Sequence, residues 1–216
     1  MNCNCPNDGI LEEIPDNDCP FDIKQIQRMA FATFGKVVWD GNNGSGTGLL
    51  GVPQADSDIA LLADWEARRV AIDNTKIVVT PRVGADPIIE AGEAITEGGG
   101  DNTTLNGIEE VTGVNPSKFS CMFKSIAPTT EKALKKLGCN NLEVYFFAEG
   151  GRIVCEKVEG TEKHKGINIQ SLFVGDRNNA GYGTKDTNML SFSIAAGWSE
   201  NIVFVDPIDF NPIYDI

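Results

Sequence analysis

Positive charge is what this 216-residue sequence has least of: 18 Lys and Arg stand against 31 Asp and Glu, a formal net charge of -13. Proteins that hold nucleic acid neutralise its phosphates with clustered Lys and Arg, so this balance argues against stable nucleic-acid binding. Histidine is rarer still, with His164 alone in the charged segment EGTEKHKG. That position reads as a solvated surface loop, a poor place for the base of a nucleophilic triad. No apolar run approaches the ~20 residues that a membrane-spanning helix needs. The N-terminal stretch MNCNCPNDGILEEIPDNDCPFD has neither a basic nor an apolar region of the kind that opens a secretory signal. The expectation is therefore a chain made and kept in a cytosol, with its six cysteines as free thiols. Cys3, Cys5 and Cys19 lie close in sequence, but one CxC without a nearby His does not match the paired spacing of a structural zinc site. No metal and no cofactor is expected.

What is present is a hydrophobic fraction of 41%, enough for one buried core, together with 23 glycines, which implies many turns. Residues 1–22 carry six acids, three prolines and no Lys or Arg, and read as an acidic arm. Residues 23–205 read as one domain, and 206–216, with Phe210 among its aromatics, as a second arm. Within the domain, IKQIQRMAFATFGKVVW leans towards strand. DGNNGSGTGLLG is a loop whose twelfth position, Gly51, rules out an EF-hand. ADSDIALLADWEARRV predicts a short helix with Asp56 or Ser57 as N-cap. TKIVVTP is a strand ended by Pro81. In KFSCMFKSI the alternation of Phe119, Cys121 and Phe123 predicts a half-buried strand.

APTTEKALKKLG is the clearest helix: Pro128 and Thr129 start it, Ala133, Leu134 and Leu137 form its apolar stripe, and Gly138 stops it. The rest is strand-rich. LEVYFFAEGGRIVCEKV predicts a hairpin turning at EGG, followed by strands in INIQSLFVGD, NMLSFSIAAGW and NIVFVDP. The fold class expected is mainly β: an antiparallel β-sandwich or barrel with one or two short flanking helices, a long acidic loop and terminal arms.

The long loop spans 83–117 and holds seven acids, no basic residue, and the run EGGGDN. A phosphate-binding loop of Walker type continues into Lys and Ser or Thr at a helix start, and a dinucleotide fingerprint needs a strand–GxGxxG–helix unit. Neither is here, and Glu97 and Asp101 flank the glycines. Paired carboxylates for hydrolysis are available only through abundance, so no enzyme activity is expected. The loop GDRNNAGYG, with Asp176, Arg177 and Tyr182, and Trp198 in AAGW are open to ligand or subunit contact.

TKIVVTP, AGEAITEGGGDNTTLNGIEEVTGVNPSKFS, TEKALKKLG followed by LEVYFFAEGGRI, and LFVGDRNNAGYGTKDTNMLSFSIAAGWSENIVFVDPIDFNP resemble, in pattern and order, virion structural proteins of tailed bacteriophages, especially the tail-tube type. The resemblance covers about residues 75–212. It implies a β-sandwich with a flanking helix, assembled with copies of itself as stacked hexameric rings around a channel. DNA would pass that channel without specific binding, repelled by a carboxylate lining over a screening length of about 10 Å at about 0.1 M salt. Other virion proteins would be further partners, no membrane would be involved, and the site would be the virion, assembled in a host cytoplasm. The subunit contacts it implies are Glu93, Glu97, Gly98, Gly99, Gly100, Asp101, Asn102, Arg177, Tyr182 and Phe210. The same sandwich serves capsid auxiliary and head–tail connector proteins, and a glycan-binding β-sandwich is the alternative of another class.

Overall fold

The computed structural model describes residues 22–23, 25–40, 46–47, 53–54, 57–100 and 103–216. The N-terminal arm up to residue 21 with its three cysteines, most of the loop 41–52, Asp56, Asp101 and Asn102 lie outside the described residues. The described strands are β1 (Ile26–Thr33), β2 (Val38–Trp39), β3 (Gly46–Thr47), β4 (Pro53–Gln54), β5 (Ile77–Val79), β6 (Ala85–Glu90), β7 (Ala94–Glu97) and β8 (Glu110–Val114). They continue with β9 (Ser117–Lys124), β10 (Leu142–Ala148), β11 (Ile153–Lys157), β12 (His164–Lys165), β13 (Ile167–Val174), β14 (Thr187–Ile194) and β15 (Ile202–Val205). Two α-helices, α1 (Leu62–Val70) and α2 (Pro128–Leu137), and two short 3-10 helices, Leu105–Gly107 and Trp198–Asn201, complete the described set. None of the described helices is long and apolar enough to cross a membrane.

The architecture is mainly β and every strand pairing is antiparallel. The main sheet runs β2–β12–β11–β10–β13–β14–β9–β6, with β1 and β5 continuing from β10, and β15 beside β11; it does not close into a barrel. Strand β10 is its hub. LEVYFFA is apolar almost throughout because both of its faces are covered. Leu142, Val144 and Phe146 point into one core with Met29, Phe31, Phe119, Phe123, Leu190 and Phe192. Tyr145 and Phe147 point into a second core with Trp39, Trp65, Ile77 and Ile153. In the first, Phe119 stacks on Phe192 at 4.7 Å between ring centres. In the second, Trp39 stacks on Trp65 at 4.7 Å, and Tyr145 and Phe147 meet Trp65 edge-on at 5.6 and 5.5 Å. Each such fully buried ring contributes about 1.5–3 kcal/mol by leaving water.

Helix α2 has the predicted start, with Pro128 in its first turn, and buries Leu134 in the first core. Ala133, read as part of the apolar stripe, is exposed. Helix α1 departs from expectation at its start. It begins at Leu62 after a turn, and Ser57 does not cap it; the Ser57 hydroxyl instead donates to the Val38 carbonyl at 3.4 Å and accepts from Arg68 at 3.1 Å. The reason is that Ile59 and Trp65 must both reach the second core, where the Trp65 indole N–H donates to the Ile59 carbonyl at 2.8 Å. The segment 206–216 also packs there: Ile213 and Ile216 are buried in the second core. The Arg28 guanidinium donates to the Thr80 carbonyl at 2.7 Å, to the Ile213 carbonyl at 3.3 Å and to the main-chain oxygen of Ile216.

Candidate assembly surface

Between β6 and β9 the chain leaves the main sheet as a hairpin. Among the described residues, strands β7 and β8 pair only with each other: Ala94 lies opposite Val114, Ile95 opposite Gly113, Thr96 opposite Val111 and Glu97 opposite Glu110. The base is clamped where Asn115 N–H donates to the Glu93 carbonyl at 2.9 Å. Gly92 is obligatory at this clamp, because a Cβ there would sit 1.7 Å from the Asn115 carbonyl oxygen. At the far end Gly98 has φ +95°, and a Cβ would come within 2.3 Å of the Ile108 oxygen. The N–H groups of Gly99 and Gly100 both donate to the Gly107 carbonyl, at 3.2 and 3.1 Å. The glycine run thus closes a turn on its own backbone, and those N–H groups are already occupied. A Cβ at Gly99 or Gly100 would meet nothing within 4 Å, so these two glycines face open space.

The hairpin is unusual in what it exposes. Leu105 is 80% exposed, Ile108 and Val111 are each 59% exposed, and Ile95 and Val114 are also open to solvent. Glu93, Glu97, Glu109 and Glu110 are exposed around them, with no basic residue in the segment. Glu97 directly opposite Glu110 is a like-charge pair that destabilises a strand pairing. A two-stranded hairpin standing alone is marginal in water. Strands β6, β7 and β8 inside 83–117 correct the expectation of one long loop. Their signal was the β-branched residues Ile95, Thr96, Val111, Thr112 and Val114, placed on either side of the glycine-rich turn.

The other predicted contact residues lie elsewhere. Arg177 is committed within the chain: its guanidinium donates to the Ile126 carbonyl at 2.6 Å and lies 3.5 Å from Asp186 and 3.8 Å from Glu131. It pins the loop 175–187 to the start of α2. Tyr182, further along that loop, is fully exposed. Phe210 is half-buried against the second core. The structure therefore brings Glu93, Glu97 and Gly98–Gly100 together on the hairpin and leaves Arg177, Tyr182 and Phe210 apart from them. One strand of that sheet region, β6, pairs only with β9, and Pro87 within it suits an edge. Among the described residues nothing covers the outer face of β9 and β14, which carries Lys118, Lys124, Met122 and Met189.

Other chemistry is sparse. His164 sits in β12 opposite Trp39, half-buried, which corrects the solvated-loop expectation; two short strands, β2 and β12, pair across the sheet edge and draw it in. Burial, with Lys157 nearby, lowers its pKa, and Nδ1 has no hydrogen-bond partner among the described residues. Burial pushes the Cys121 thiol up to about 12 and raises the Cys155 thiol as well, which leaves both protonated and unreactive. Among the described residues no three His, Cys, Asp or Glu side chains gather as a metal site. A cleft of about 680 Å³ lies between the first core and the hairpin base, lined by Ile26, Ile89, Val114, Trp198 and Ile202. The Trp198 indole there donates to the Ser117 hydroxyl at 3.1 Å.

No family model matches this chain, and no curated protein matches it. Solved structures similar to it include two of gene transfer agent particles. One is described as the tail of an empty gene transfer agent particle refined with C6 helical symmetry: TM-score 0.33, 13% identity, covering 56% of this chain and 81% of that one. The other is the virion of a native gene transfer agent particle: TM-score 0.32, 13% identity, covering 57% of this chain and 84% of that one. A likeness of this size carries no functional argument.

Proposed function

We propose that this chain is a structural subunit of a phage-like tail, which assembles with copies of itself into rings stacked as a tube. The single observation that carries the reading is the β7–β8 hairpin, an acidic, apolar-tipped excursion that among the described residues pairs only with itself. Such a segment gains stability only when another surface covers Leu105, Ile108 and Val111, and association supplies that surface. A six-fold ring with DNA passing through its centre is what the resemblance of the sequence implies. The net charge of -13 favours passage without sticking, because like charges repel across a narrow lumen.

The experiment is negative-stain electron microscopy of the purified chain over a concentration series, beside a variant in which residues 94–114 are replaced by a short turn. Rings or stacked tubes formed by the full chain and lost in the variant are expected. A full chain that stays monomeric at high concentration would overturn the reading. Single twelve-fold rings would replace the tube with a connector.

A further inference from the structure

The geometry points to the outer face of α2 as the surface that receives the β7–β8 hairpin of a second copy, an inference that rests on the assembly reading above. In a chain with 13 more acids than basic residues, α2 gathers three lysines, Lys132, Lys135 and Lys136, within its ten residues. Lys135 is tied to Glu131 at 2.7 Å and to Asp176. Lys132 and Lys136 are exposed and form no ion pair among the described residues. The same face holds a groove of about 540 Å³, lined by Pro128, Glu131, Cys139 and the three lysines, whose aliphatic stems give it apolar walls.

The hairpin supplies the complement on both counts. Leu105 and Ile108 are large exposed apolar side chains, and Glu109 and Glu110 follow directly, with Glu97 across from Glu110. No ion pair among the described residues joins these acids to α2 of the same chain. Lysine ammonium groups beside Glu97 and Glu110 would relieve their repulsion, while the aliphatic walls cover the tip. Projection and groove lie on different parts of one chain, so the contact is heterologous and propagates from copy to copy. Charge pairs across such a contact fix its register and make it sensitive to salt.

The test is reciprocal charge reversal in the full chain, read by sedimentation velocity over a concentration series at low salt. Lys132→Glu with Lys136→Glu, and separately Glu109→Lys with Glu110→Lys, are each expected to weaken association by about tenfold or more, and all four together to restore most of it. The substituted positions are exposed, and far-UV circular dichroism with a melting curve verifies that each variant folds. If the hairpin pair weakens association while the helix pair changes nothing, the hairpin docks elsewhere: the inference fails and the assembly reading stands. Failure of the four-fold variant to recover, when each pair alone is weakened, also overturns it. A wild-type chain that never associates overturns both.

Discussion

Glu143 offers the sharpest test of the interior. It lies in β10 between Leu142 and Val144, is 1% exposed, and has one carboxyl oxygen accepting the Gly35 N–H at 2.9 Å. The other oxygen is buried without a hydrogen-bond partner among the described residues. Burial dominates and raises the carboxyl from 4.5 to about 7, with Glu156 adding a little; the Gly35 N–H, the Lys165 ammonium and the Gly166 N–H act against it. The folded chain therefore holds this proton more tightly than the unfolded chain. The stability it brings is complete below about pH 4.5 and is lost as pH rises through about 7. The total is about 3 kcal/mol, at 1.36 kcal/mol for each pH unit between the two values. His164 acts with the opposite sign: burial lowers its pKa, so the folded state prefers the neutral ring and stability falls as pH drops below the ordinary value of 6.5. Glu143→Gln separates the two, because the amide oxygen still accepts the Gly35 N–H and His164 contributes equally to both proteins. In urea unfolding between pH 5 and 9, the wild type should lose about 2.5 kcal/mol relative to the Gln variant, the remainder having been lost below pH 5. Parallel pH profiles would refute the argument, and would mean that Glu143 is ionised, or reached by water, in the folded chain.

Other consequences are as direct. Trp65→Ala removes the ring at the centre of the second core and should cost about 3–5 kcal/mol, read as a lower urea midpoint with an unchanged slope. Gly92→Ala forces a Cβ against the Asn115 carbonyl at the hairpin base; association in sedimentation should weaken while the melting of the core moves little, and a large fall in melting temperature with intact association would contradict it. Arg28→Ala removes the guanidinium that holds residues 213 and 216 through their main-chain oxygens, so limited proteolysis should cut the segment 206–216 faster than in the wild type.

Much of the fold was legible from local pattern. Pro128, the Leu134 and Leu137 spacing and the closing lysines specify α2, because capping and periodicity act within one helical turn or two. The alternation of Leu190, Phe192 and Ile194, and of Phe119, Cys121 and Phe123, was enough to assign β14 and β9 and their buried faces, since a half-covered strand leaves a period-two record. The turn at Gly150 and Gly151 announced β10 and β11. The acidity and glycine run of 83–117 single out the segment that carries the hairpin.

Tertiary structure decided the rest. Strands β6, β7, β8 and β12 are short, polar or edge pieces whose pairing partners are not marked by local pattern, so their ladders, not their composition, define them. The second core was also invisible, because Trp39, Trp65, Tyr145 and Ile213 meet only when segments over a hundred residues apart converge on one face of β10. Glu143 became a buried acid for the same reason: the turn at Gly35 and the β12–β13 joint at Gly166 close over it from distant parts of the chain. Periodicity belongs to a segment and can be read along it, whereas burial and pairing belong to the whole and exist only once the chain has folded.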